Sequence, residues 1–161
     1  MKTIIINSKK FGAHYAFVDD EDFEYLNQFH WCLKKSHETL YARRVTKNPT
    51  WTLMHRDIMK PENSKINFDH KDQNGLNNQK ENLRICDQSQ NRANTKSAKR
   101  SNCEYKGVCF VQKRNHFQAA IQKNKKVIHL GTFNNAIDAA KAYDKAAKEI
   151  HGEFANLNFK S

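Results

Sequence analysis

No run of apolar residues in this sequence is long enough to span a bilayer, and no Arg/Lys-rich amphipathic helix with a large apolar face is evident. Neither a membrane-spanning nor a membrane-surface protein is therefore expected. The start, MKTIIINSKKF, has three isoleucines where a secretory signal carries a longer apolar core, and it lacks the small-residue cleavage pattern. A cytoplasmic location is the expectation. The four cysteines, Cys32, Cys86, Cys103 and Cys109, include no C-x-x-C pair, so zinc chelation is not expected and they read as reduced packing residues. Acid is also scarce: 17 Asp and Glu stand against 28 Lys and Arg, a formal charge of +11 spread over the whole chain. The expected partner is a polyanion, and nucleic acid is favoured over lipid.

The 161 residues suffice for one ordinary domain or two small ones. Residues 3–18 read as two β-prone runs about a Gly-containing turn, and DDEDFEYLNQF follows with the acidic first turn of a helix that would bury Phe23, Leu26 and Phe29. Residues 30–53 read as two or three strands with Trp31, Leu33, Leu40 and Trp51 as core positions. LMHRDIMK is a short helix ending before Pro61. No acid occurs between Gln88 and Asn102, which marks a basic linker and a boundary near residue 100. Beyond it, YKGVCFVQ, HFQAAIQ and KVIHLGTF are three strands, and NNAIDAAKAYDKAAKEIHG is a helix with Asn135 as N-cap and Gly152 near its end. The fold class is α+β. A first domain spans 1–96, of which 1–52 is β-rich; a linker spans 97–103; a second domain spans 104–161.

The segment FDHKDQNGLNNQKENLRICDQSQN, residues 68–91, concentrates the chemistry. Cleaving a phosphodiester requires a base for the attacking water and a cation for the charge that develops. Asp69 and His70 are neighbours, so on a strand they face opposite sides. The Gly75 turn lets the chain return, Leu83 and Ile85 pair as a second strand, and a helix beginning near Asp87 brings Asn91 toward Asp69. Such a β-turn-β-helix hook would hold one metal ion. A plain Asn-rich turn is the alternative for a lone Asp-His pair; here D-H, N-G, N-L-R and Q-N occur in order.

These motifs resemble the HNH homing endonucleases, also called ββα-metal or His-Me finger nucleases, over residues 53–95. The resemblance implies His70 as general base, Asp69 and Asn91 as metal ligands, and Asn82 as the residue that braces the loop and orients His70. The last position is Asn, an HNN variant, whose oxygen-rich site suits Mg²⁺ or Mn²⁺ better than Zn²⁺. Arg56 is a candidate phosphate contact, while its neighbour His55 reads equally as a packed structural residue. His14, His30, His37, His116 and His151 have no ligand-like spacing.

In HFQAAIQ, alternation sends Phe117, Ala119 and Ile121 toward the helix and Gln118, Ala120 and Gln122 outward. Glutamine can pair with adenine in the major groove, and Lys106, Lys113, Arg114, Lys125 and Lys126 can neutralise phosphates. The pattern over residues 105–159 is similar to the APETALA/ethylene-response-factor-type DNA-binding domain, which also occurs fused to HNH nucleases of phages and mobile elements. That family often has Arg where this chain has Gln118 and Gln122, and an aromatic where it has His129, a further DNA-contact position. The resemblances together imply a metal-dependent endonuclease acting on double-stranded DNA in a bacterial or phage-infected cell. The rival is a DNA-binding regulator with an inactive nuclease fold. RNA binding ranks last, because HFQAAIQ lacks an aromatic stacking platform.

Overall fold

The structure, a computed structural model, describes residues 1–48, 50–95 and 102–159. The linker expected over 97–103 lies, up to residue 101, outside the described residues. The chain forms two compact units, Met1–Cys86 and Asp87–Ser161, and both mix helix with small antiparallel sheets, the α+β class expected.

In the first unit, β1 (Lys2–Ser8) and β2 (Gly12–Val18) form a hairpin. Strand alternation sends Ile4, Ile6, Ala16 and Val18 into the core and leaves Ile5 and Tyr15 exposed. Helix α1 (Asp20–Leu26) opens with Asp20, Glu21 and Asp22, which complement the positive end of its dipole. Leu26 is fully buried, and its carbonyl accepts from Trp31 Nε1 at 2.8 Å, so the buried indole keeps its hydrogen bond. Strands β3 (Cys32–Ser36), β4 (Thr39–Val45) and β5 (Trp51–Leu53) form a three-stranded sheet in that order. Leu33 and Ala42 bury one of its faces against the hairpin core, which Phe23, Phe29 and Leu40 complete from partly buried positions.

Trp51 corrects the sequence reading: it is 53% exposed rather than core. Edge strand β5 has only three residues, and its register sets Trp51 opposite Val45, which is also exposed, on the face that turns away from the core. Helix α2 (Met54–Met59) follows at once and buries Met54, His55 and Ile58. It stops at Lys60 in a left-handed conformation (φ 41°), ahead of Pro61. Last comes a second hairpin of β6 (Asn67–His70) and β7 (Leu83–Cys86), entered through a 3₁₀ turn at Lys80–Asn82.

The second unit begins with α3 (Gln88–Asn94), started by a capping box in which Asp87 and Gln90 each bond the other's backbone N–H at 2.7 Å. Strands β8 (Val108–Val111), β9 (His116–Lys123) and β10 (Lys126–Phe133) form a sheet with β9 central, and α4 (Ala136–His151) covers one face. Ala119 and Ile121 point to α4 and meet Ala139, Ala140, Tyr143 and Ala147. The helix starts as its sequence marks it, with Asn135 Oδ1 accepting from Asp138 N at 2.8 Å. The small residues on α4 draw the backbone close: a Cβ on Gly107, which has φ +74°, would fall 2.0 Å from the Tyr143 ring. Cys86 is buried, but Cys109 is exposed, since its partner in register, Gln118, lies on the sheet's outer face. Among the described residues no helix is long and apolar enough to cross a membrane.

Candidate functional site

The β6–β7 hairpin places the first cluster. Register pairs Asp69 with Arg84 and His70 with Leu83. Cross-strand partners share a face, so Arg84 meets Asp69 directly: its Nε and Nη2 both donate to Oδ2, at 3.0 and 2.8 Å. Both side chains are largely buried, where a charge-assisted fork of this kind is strongest.

His70 leaves the strand on the opposite face, as neighbours on a strand must. Its ring sits among others: His55 at 5.2 Å and Tyr41 at 5.8 Å between centroids, both edge-on. Phe68 lies 6.0 Å from His55. Burial holds His70 below the ordinary imidazole range, opposed by hydrogen bonding with Asn78 and by the nearby Asp72 and Asp69 carboxylates. For His55, burial is the largest cause, with repulsion from His70 and Arg56 added, and its value falls to about 3. His55 is a neutral packed ring at any ordinary pH.

Asn82 organises the loop between the strands. Its Oδ1 accepts from Asp72 N at 3.1 Å, its Nδ2 donates to Asp72 Oδ1 at 3.0 Å and Asn77 O at 2.8 Å, and its carbonyl accepts from Lys71 N at 3.0 Å. Asp72 in turn accepts from Asn74 N and Asn77 Nδ2, both at 2.8 Å. The loop is tied to β2 through Phe17 N to Leu76 O and Asn78 N to Phe17 O, each 2.8 Å. Gly75 is required by contact: a Cβ there would lie 2.5 Å from Leu40 O and 2.6 Å from the Tyr41 ring. The asparagines thus have separate duties, with Asn74 and Asn77 shaping the turn, Asn78 buried beneath it and Asn82 locking it.

The structure brings Asp69, His70 and Asn82 together in the first unit. Asn91 is an exposed residue of α3, a helix of the second unit. Among the described residues no group of three or more His, Cys, Asp or Glu side chains is arranged to hold a metal ion. Arg56 differs from its expected phosphate contact: its guanidinium donates to the carbonyls of Ile66 (2.9 Å), Ser64 (3.1 Å) and Asn63 (3.4 Å), pinning the approach to β6. Sequence reasoning missed Arg84, Tyr41 and Asn78. The Leu-Arg step after Asn82 was a usable signal for Arg84, because a cation opposite Asp69 follows from hairpin register. Tyr41 is remote in sequence and left no signal.

In the second unit the register puts Gln118, Ala120 and Gln122 of β9 on the outer face, with His129 opposite Ala120 and exposed Val127 opposite Gln122. Lys113 and Arg114 lie exposed in the turn after β8, Lys125 in the next turn and Lys126 at the start of β10. Lys106 is engaged otherwise than expected: its ammonium donates to the carbonyls of Ala93 and Thr95 at the end of α3, where Asn156 also bonds both residues. Lysine there closes a helix C-terminus. Burial lowers Lys106 to about 8. A cleft of about 740 Å³ opens beside it, lined by Ser89, Arg92, Gln122 and Lys125 among others.

No family model matches the chain. An uncharacterized HNH endonuclease of Acanthamoeba polyphaga mimivirus is 35% identical over 95 residues, 59% of this chain and 48% of that protein. An AP2/ERF and B3 domain-containing transcription repressor of Arabidopsis thaliana is 38% identical over 73 residues, 45% of this chain and 20% of that protein. An AP2-like ethylene-responsive transcription factor of the same plant is 38% identical over 56 residues, 35% of this chain and 12% of that protein. The chain therefore spans about half or less of the length of the relatives it matches, and its similarity to both kinds of protein is partial.

Proposed function

We propose that this protein is a divalent-metal-dependent DNA endonuclease whose hairpin cluster cuts and whose second sheet reads the target. The observation that carries the reading is the placement of Asp69 and His70 on opposite faces of one short strand, ahead of a loop locked by Asn82. Partial similarity to an HNH endonuclease and to AP2-type transcription factors supports the two halves.

In this reading His70 accepts a proton from a water molecule, and the water attacks phosphorus in line with the departing 3′ oxygen. The phosphodiester P–O3′ bond breaks, leaving 5′-phosphate and 3′-hydroxyl ends. Asn82 keeps the loop beside His70 in one conformation. Asp69 is the residue that would hold the ion. The donor chemistry fits: Asp69 brings a carboxylate, with about four lone-pair sites, to the strand that carries His70. A carboxylate and water are ligands that Mg²⁺ or Mn²⁺ accepts. When bound, such an ion supplies positive charge against the leaving oxygen. On the reader side, Gln118, Gln122 and His129 would meet base edges, while Lys113, Arg114, Lys125 and Lys126 would neutralise phosphates.

The test is nicking of supercoiled plasmid carrying candidate sites, by wild type with Mg²⁺, with EDTA, and by His70→Ala. Cutting that needs both the cation and His70 is the expected result. DNA that is shifted in gels but left intact by wild type would show a binding regulator with an inactive nuclease fold.

A further inference from the structure

Beyond the end where Tyr41 meets His70, the outer face of the β3–β4–β5 sheet is unaccounted for by the hairpin cluster or by the reader sheet. Register and alternation put Lys34, Tyr41, Arg43, Val45, Trp51 and Leu53 on it. At one end Tyr41 touches both the His70 ring and the Gly75 turn. At the other, Trp51 and Val45 are each about half exposed. Between them the Arg43 guanidinium lies 3.9 Å from the centre of the Trp51 ring, and Arg43 Nε is buried with no hydrogen-bond partner. The strands contribute two cations and no carboxylate to this face. The sheet's other arginine, Arg44, has its partner on the opposite face, where Asp57 accepts from it.

A large exposed aromatic on an edge strand is a liability unless something covers it. Stacking an arginine across the ring holds the guanidinium extended and pre-ordered, the state in which binding a phosphate loses least entropy. The geometry points to a second DNA contact surface, in which this face grips the duplex beside the scissile phosphate. Arg43 and Lys34 neutralise phosphates there, and Trp51 rests against the sugar edge. This rests on the nuclease reading of His70. Same-face residues on a strand step by about 7 Å, so Trp51 stands about 13 Å along the sheet from Tyr41. With one phosphate per strand every 3.4 Å of helix axis, that reach covers roughly four nucleotides to one side of the cut. Charge complementarity and continuity with the His70 cluster both favour DNA as the occupant.

The test uses the full chain in two arms. In the binding arm, Arg43→Gln and Trp51→Ala are each placed on His70→Ala, and affinity for a duplex is measured against salt. Arg43→Gln should flatten the slope of log K against log salt by about 0.9, the loss of one phosphate contact. Trp51→Ala should weaken binding roughly tenfold, the low end of an aromatic contact with nucleic acid, with the slope unchanged, and Trp51→Phe should restore most of it. In the cutting arm, both substitutions on wild type should raise KM and leave kcat unchanged, and hydroxyl-radical protection should disappear within about four nucleotides of the cut. Folding is checked by the fluorescence of the buried Trp31. Folded variants with wild-type salt slope, affinity and footprint would overturn the inference even if the parent protein cuts. A dimer that Trp51→Lys dissociates, with DNA affinity unchanged, would overturn it in favour of a second copy on this face. Absence of cutting by wild type refutes the nuclease reading alone, because the binding arm needs no cleavage.

Discussion

His55 makes the first unit acid-sensitive in a way that can be worked from the structure. The ring is 7% exposed, wedged between Tyr41, Phe68 and His70, and its value in the fold is about 3 against 6.5 for a free imidazole. The unfolded chain therefore takes up a proton first as pH falls. Stability from this group is fully present above about pH 6.5, drains away between there and about pH 3, and changes no further below. At 1.36 kcal/mol per unit, the loss is about 2 kcal/mol by pH 5 and approaches about 5 kcal/mol at pH 3. Both tryptophans, Trp31 and Trp51, belong to the first unit, so urea unfolding followed by tryptophan fluorescence reports this unit selectively. His55→Phe keeps a ring but cannot titrate, and carboxylate titrations common to both proteins cancel in the difference. The stability gap between wild type and His55→Phe should move by about 2 kcal/mol in the variant's favour between pH 7.5 and pH 5. A gap that is the same at both pH values would refute the reasoning, because it would mean that His55 charges in place.

Three further outcomes follow from the same geometry. Asn82→Ala leaves Asp72 N and Asn77 O without their partner and should lower stability by about 2–4 kcal/mol in urea unfolding while sharply reducing plasmid nicking. Arg84→Met removes the guanidinium from the largely buried Asp69 carboxylate; a loss of about 3–5 kcal/mol is expected, and Asp69→Asn in the same chain should recover part of it. Gly107→Ala sets a methyl inside the Tyr143 ring and a side chain at φ +74°, so amide exchange should show lost protection in α4 and β9 while the first unit stays unchanged.

The locally coded features were legible. The acidic opening of α1, the Asp87 and Asn135 caps, the end of α2 before Pro61 and the alternation of HFQAAIQ all appear where residue chemistry puts them, because each depends on neighbours within a few positions. The Asp-His step and the Asn-rich loop were visible as a motif for the same reason. What failed, failed over distance. Trp51 was read as core because a tryptophan on a strand usually is, yet the face it occupies depends on its register against Val45. The charges of Arg56 and Lys106 mark them for phosphate, but the backbone carbonyls that both bind are brought to them only by folding.

The sequence by itself determined the α+β class, the helix ends, the apolar faces of the strands and the order of the Asp69, His70 and Asn82 motif, since propensity, capping and alternation act through adjacent residues. Tertiary structure alone decided which cations have partners: Arg84 with Asp69, Arg44 with Asp57, Arg56 and Lys106 with carbonyls, and Arg43 against the face of Trp51. A charge in the chain has a sign but no neighbour. Cross-strand register and helix docking supply the neighbour, and with it the difference between a structural ion pair and a cation stacked on a ring.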